Sequence, residues 1–401
     1  MQGSRWTVIG VVFATAATVV VAQLSYVANL DADAAAVMRA ATPKERLGQL
    51  LFEDVNLSNP PGQSCATCHA RGAGFADPNR TFPTSMGVRP GLFGDRNAPS
   101  AAYMAFSPTF HFDEAEQLYV GGQFWDGRAA TLEEQAKQPF LNPVEMANTS
   151  PAQVVEKVRA AAYAPLFVEV FGTDAFADTA RAFDRIAEAI AAFERTPVFA
   201  PFTSKYDAYL AGRTQLTAQE LRGLRLFERE DKGNCAACHP IARDASGRGG
   251  LGTDFTYDNL GVPKNPDNPF YRLAEAYNPA GERHVDRGLG GVVGRASEYG
   301  KFKVPTVRNV EVTAPYMHNG YFTSLRAVVD FYNTRDVKPR CADEFVREAE
   351  ALERGCWPRP EMVANVNADE LGHLRLSERE VDDLVAFMLT LTDGWTPRGA
   401  R

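Results

Sequence analysis

The sequence predicts a mainly α fold made of two similar units with long loops. Three observations carry that prediction. Apolar residues recur with the 3.6-residue period of a helix, few stretches alternate with period two, and one composite unit occurs twice. In that unit a capped helix ends in Leu-Phe, a short polar connection follows, and the chain then reads Cys-x-x-Cys-His. The first copy runs from Thr42 through Leu51-Phe52 to Cys65-Ala66-Thr67-Cys68-His69. The second runs from Thr217 through Leu226-Phe227 to Cys235-Ala236-Ala237-Cys238-His239.

Taken in order, the chain opens with Arg5 and an apolar run from Trp6 to Ala22, followed by Gln23 and Ser25. This suits the core of a signal peptide and is short for a full membrane span, so residues 1–28 are either a cleaved export signal or an N-terminal anchor. Residues 29–43 are rich in Ala and Asp and read as a linker. Thr42 caps a helix with Pro43 at its first position. Asn59-Pro60-Pro61-Gly62 breaks the chain before the first motif. Helical patterning returns over 151–171 (Val154, Val155, Val158, Ala162, Leu166, Val170) and over 178–195 (Ala182, Ile186, Ile190, Phe193), both read as core faces. Residues 240–300 are rich in Gly, Asn, Pro and Asp and read as long loops around the second motif. The last helix runs from Leu376 to about Thr392, with Ser377 and Glu380 placed as a capping box.

Cys-x-x-Cys-His is the attachment pattern of a c-type haem. Two thiols add to the porphyrin vinyl groups, and the adjacent imidazole reaches the iron. The fold expected is therefore two cytochrome-c-like haem domains related by internal duplication, holding two covalent haems c. A four-Cys zinc site is the rival use of the same cysteines. Haem attachment of this type requires export, which places the main chain in the periplasm. The remaining cysteines of the six, Cys341 and Cys356, then favour a disulfide over two unrelated thiols. A net charge of −8 gives no reason to expect nucleic acid, and contact with a membrane is expected only through an N-terminal anchor.

The stretch Gly121 to Met146 (GGQFWDGRAATLEEQAKQPFLNPVEM) places Trp125, Gln135 and Glu145 at successive ten-residue intervals, with Pro139 between the last two. Together with the two haem motifs, Gly300 to Val310 (GKFKVPTVRNV) and Thr313 to Gly320 (TAPYMHNG), it resembles the bacterial dihaem cytochrome c peroxidase family, including its MauG branch. The resemblance covers about 44 to 394. It implies an N-terminal peroxidatic, high-spin haem domain over 44–205 and a C-terminal, low-spin one over 206–398. Glu145 matches the family's distal acid, Gln135 its distal amide, and Trp125 the indole between the haems. Asn97, with the carbonyls of Thr313 and Pro315, matches the ligands of a Ca2+ ion, an oxygen-only set that suits calcium. His318 is expected beside the haems. His111, His284 and His373 have no ligand spacing and are expected at the surface or in structural hydrogen bonds. Trp357 and Trp395 are expected to pack.

Two departures from the peroxidase pattern set the functional expectation. Where reductively activated peroxidases carry a ligating His, this chain has Pro83-Thr84-Ser85-Met86-Gly87-Val88, and valine cannot bind iron. The first haem should then be open, with Val88 on its far side and Met86 a buried packing residue. Fourteen residues past His318, where the peroxidases carry Met, this chain has Tyr332, as MauG-like proteins do. An oxygen donor favours higher oxidation states than a thioether, so a haem held by His239 and Tyr332 should hold charge rather than relay it. The expectation is a periplasmic oxidoreductase that takes H2O2 at the first haem, shares the oxidising equivalents with the second, and oxidises a protein partner, as in MauG-like maturation of tryptophan residues. The alternative is a peroxidase that reduces H2O2 with electrons from a small cytochrome c or cupredoxin.

Overall fold

The computed structural model describes residues 31–243 and 249–397; the expected targeting segment over 1–28 lies outside them. The fold is mainly α, with short strands and many 3-10 turns. Helices α1 (31–39), α2 (Pro43–Glu53), α3 (Cys65–Cys68), α4 (Leu132–Leu141), α5 (Pro151–Ala160), α6 (Ala164–Phe171) and α7 (Thr179–Glu194) belong to the first half. The second half holds α8 (Lys205–Leu210), α9 (Ala218–Glu228), α10 (Gly288–Val293), α11 (Leu325–Thr334), α12 (Glu348–Arg354) and α13 (Glu378–Met388). Strands β1 (His111–Asp113) and β2 (Leu118–Val120) form a hairpin, and β3 (Tyr257–Asp258) pairs with β4 (Phe302–Lys303), both antiparallel. No helix among the described residues is long and apolar enough to cross a membrane.

Each half is built on one close helix pair. Thr42 and Glu45 form a capping box on α2, and Thr217 and Glu220 form the same box on α9. Midway along each helix a glycine lets a neighbouring backbone approach. A Cβ on Gly48 would lie 1.9 Å from the Ala189 carbonyl oxygen of α7, and one on Gly223 would lie 1.9 Å from that of Asp383 in α13. No side chain fits there, so glycine sets how closely each pair packs. The Leu-Phe ending then performs the same task twice. Phe52 packs edge-on against Phe193 and Phe199, Phe227 packs edge-on against Phe387, and each faces the cavity beside its own Cys-x-x-Cys-His. One apolar core draws on residues from Ala34 to Phe199, and a second on residues from Tyr206 to Leu391.

The structure corrects two expectations, the linker and Met86, and divides one helical stretch. Residues 31–39, read as linker, are helical, and Ala34 is buried with Val37 and Met38 against the first core. A short Ala-rich helix has one narrow apolar edge, too weak a period to separate from a tether. The helical pattern over 151–171 is two helices, because Ala161 turns to extended backbone (ψ 152°) and α6 restarts with Pro165 in its first turn. A continuous helix would drive the Pro165 ring into the carbonyl of Ala161. Met86 is 40% exposed, so it is not the buried residue expected.

A smaller third core holds Trp357, Phe322 and Phe331, with Trp357 Nε1 donating to Thr334 Oγ1 at 3.0 Å. Beside it Cys341 and Cys356 are disulfide-bonded across a separation of 15 residues. Closing a loop of that length removes on the order of 3 kcal/mol of unfolded-chain entropy.

Candidate functional site

Two cavities of about 200 and about 170 Å3 lie within the fold, far larger than the space a buried water needs. Cys65, Cys68 and His69 line one; Cys235, Cys238 and His239 line the other. The cysteine pairs are thus in separate chambers, and among the described residues no cluster of three or more His, Cys, Asp or Glu is arranged to hold a metal. That removes the four-Cys zinc reading.

The two histidines are held alike. His69 Nδ1 lies 3.0 Å from the Phe75 carbonyl oxygen, and His239 Nδ1 lies 2.9 Å from that of Gly252. Both acceptor residues are left-handed, Phe75 at φ +59° and Gly252 at φ +66°. With Nδ1–H donating to a carbonyl, Nε2 keeps its lone pair, the tautomer an iron ligand needs. Burial lowers both imidazole pKa values, which also favours the neutral ring.

Above the first motif, α4 and the turn after it deliver the chemistry. Thr131 caps α4, placing Gln135 and Pro139 one turn apart on the cavity wall. Glu145 follows in a tight turn, its backbone N–H bonded to the Asn142 carbonyl and its Oε1 accepting from Asn142 Nδ2 at 2.9 Å. Burial pushes the Glu145 carboxyl up to about 7, with Arg128 pulling the other way. A carboxyl poised there can both take and return a proton near neutral pH. Val88 does not line the cavity. Its N–H donates to the Glu145 carbonyl at 2.9 Å, and a Cβ on Gly87 would strike the Val144 carbonyl at 2.1 Å. The segment expected to carry a ligand therefore packs against the acid's backbone instead. Only Ser85 of that run reaches the cavity wall.

In the second cavity α11 presents Tyr332 with His239. Burial drives the phenol pKa far upward, the nearby Cys238 and Cys235 adding to it and Arg335 opposing. Only a cation in the cavity would make a tyrosinate there. His318, stacked on Phe302 at 3.6 Å, lines the same cavity. His111, His284 and His373 line neither.

Between the cavities sit residues that line both, among them Asn97 and Trp125. Trp125 Nε1 donates to the Asn97 carbonyl at 2.8 Å, and Asn97 Nδ2 donates to the Pro315 carbonyl at 2.6 Å. Thr313 precedes Pro315 on the wall of the second cavity. Arg96 ties the halves together, bonding Asp126 at 2.6 Å and Asp286 at 2.6 and 2.8 Å.

The chambers suit a large, mostly apolar group with a few polar edges. Several fully enclosed polar atoms on their walls have no partner: Gln63 Oε1, Ser85 Oγ and Glu194 Oε2 in the first, His318 Nε2 and Glu361 Oε2 in the second. Orphans of this kind are rare in a finished interior and point to a missing polar group. Thiols for thioether bonds, neutral histidines and orphaned polar atoms together fit haem c.

Two wall residues escaped the sequence reading. Glu194 is 7% exposed and burial lifts its carboxyl to about 8. It stands four residues after Ile190 on the stripe Ala182, Ile186, Ile190, and an acid on that stripe was the available signal. Lys303 is also buried on the wall. It follows Phe302 in a two-residue strand too short to show a face.

A profile described as di-haem cytochrome c peroxidase matches residues 42–215. The chain is 42% identical to the methylamine utilization protein MauG of Paracoccus denitrificans, over 86% of this chain and 88% of that one. It is 35% identical to the cytochrome c551 peroxidase of Nitrosomonas europaea, over 73% and 75%. The diheme peroxidase BthA of Burkholderia thailandensis superposes with a TM-score of 0.76 at 36% identity, covering 88% of this chain and 86% of that one.

Proposed function

As the chain belongs to the di-haem cytochrome c peroxidase family, and is by that membership a haem oxidoreductase acting with H2O2 on two haems c, we propose that it is a MauG-like oxidase of a protein partner. The observation that carries this reading is Tyr332 beside His239 in the second cavity, where a relay would need a softer ligand.

In this reading His69 and His239 would hold the two irons through Nε2, Tyr332 would supply a further ligand to the second, and the cysteines would bind the vinyl groups. The haems supply iron centres that accept the oxidising equivalents of peroxide. Glu145 would take a proton from one peroxide oxygen and return it to the other, which could then leave as water with the O–O bond pair, the two oxidising equivalents passing to the haem centres. Gln135 orients the peroxide as a neutral donor and acceptor, and Pro139 shapes the wall beside it. Trp125, on the wall of both cavities, carries charge between them. The halves act as domains over 44–205 and 206–398, and the matched glycine contacts, capping boxes and histidine bonds support their origin by internal duplication. Asn97, Thr313 and Pro315 form a Ca2+ site between them; turning the Asn97 amide by half a turn presents Oδ1 with the carbonyls, as calcium requires. The setting is periplasmic.

Steady-state kinetics with H2O2 and a reduced small cytochrome c test the choice between oxidase and detoxifying peroxidase. Slow turnover, alongside stoichiometric loss of the oxidised state when a protein substrate is added, is expected. Rapid turnover with the small donor would make this a peroxide-reducing enzyme.

A further inference from the structure

We propose that Lys303 is a positioning residue whose ammonium binds a haem carboxylate where the two cavities meet. The inference rests on haem attachment at both Cys-x-x-Cys-His motifs and concerns the opposite edge of the ring. Thioether bonds fix a haem by its vinyl edge, so its two propionates point away from the cysteines. Cys65 and Cys68 line only the first cavity, and Cys235 and Cys238 only the second, whereas Lys303 lines both. The place where the cavities adjoin is thus away from either cysteine pair, where propionates from each side would arrive.

Lys303 is built into that place. Its backbone N–H donates to the Trp125 carbonyl at 2.7 Å, and β4 pairs it with Tyr257. The side chain is 5% exposed, and Nζ donates to the Gly122 carbonyl at 2.6 Å. An ammonium has three N–H groups to place, and among the described residues no carboxylate lies in ion-pair contact with this one. Asp126, whose charge acts on the amine, is already held by Arg96 at 2.6 Å and Arg128 at 3.0 Å. A buried cation with one neutral acceptor is costly, and burial pulls the amine down to about 7 even with Asp126 acting the other way. A propionate would complete the set. His318 Nε2, enclosed and unpartnered on the second cavity's wall, offers a neutral donor to the same class of group.

A cation this near both rings favours reduction of the irons, so removing it should lower their potentials. In Lys303→Met, haem content of two per chain is expected to persist while the reduction equilibrium of at least one haem shifts about tenfold toward ferric, about 59 mV for one electron. Lys303→Arg should restore the wild-type potential. Unchanged potentials in a fully haem-loaded Lys303→Met protein would overturn the proposal. A crystal structure of the wild-type holoprotein tests it without any variant. Nζ within hydrogen-bond distance of a propionate oxygen is expected, and Nζ with Gly122 as sole partner refutes it. Wild-type protein lacking a haem at either motif would instead count against the attachment reading.

Discussion

Tyr332→Met and Tyr332→His are expected to leave both haems attached and the first cavity reactive, yet to abolish any long-lived oxidised state after H2O2. Attachment depends on Cys235, Cys238 and His239, which lie on and just after the turn at Cys235–Ala237, and the Gly252 carbonyl that holds His239 is untouched by either substitution. In the function proposed above, the change falls on the charge-holding ligand alone. A buried phenol becomes an anionic oxygen donor only against a cation, and that anion favours the oxidised metal. A thioether or imidazole is neutral and favours the reduced one. Axial ligands move haem potentials across roughly 0.8 V, so a rise of a few tenths of a volt at the second haem is the expected size. Stopped-flow spectra after one equivalent of H2O2 provide the check. Survival of the oxidised state in both variants would remove Tyr332 from the account.

Glu145→Gln should slow the reaction with peroxide by about 10²–10⁴, the usual worth of a positioned general acid–base group. Glutamine keeps the size of the side chain and a bond with Asn142, so the cavity shape changes little. The pH dependence gives a sharper signature. Burial raises the Glu145 carboxyl to about 7, so the proton-accepting form is lost as pH falls through that value. The wild-type rate should climb between about pH 6 and 8 and then level, whereas the Gln variant should be flat there. Stopped-flow rates across that range decide it. A variant as fast as the wild type would show that the proton moves by another route.

How much of this was legible beforehand varies with the kind of signal. Capping boxes use short-range hydrogen bonds, so Thr42, Thr217 and Ser377 marked their helix starts and stand at them in the structure. The paired Leu-Phe endings announced a repeated unit because the same local task needs the same residues. The Pro165 break was visible too, but apolar residues at helical spacing on both sides masked it. The site divides in the same way. Gln135, Pro139 and Glu145 come together because they lie on one helix and the turn that follows it. Lys303 was missed because it owes its environment to segments distant in the chain and its two-residue strand shows no face, whereas Glu194 was missed although its place on the apolar stripe of α7 marked it as facing inward. Val88 shows the limit of reading a substitution alone. Its side chain was expected to face the cavity, yet what the residue contributes is a backbone N–H to the carbonyl of Glu145.

In the function proposed above, one chamber is open to peroxide while the other is closed by Tyr332. EPR and optical spectra of the resting ferric protein, followed by one equivalent of H2O2 without prior reduction, address it most directly. One high-spin and one low-spin haem are expected, then prompt formation of a persistent oxidised state. Two low-spin haems that react with peroxide only after partial reduction would contradict it.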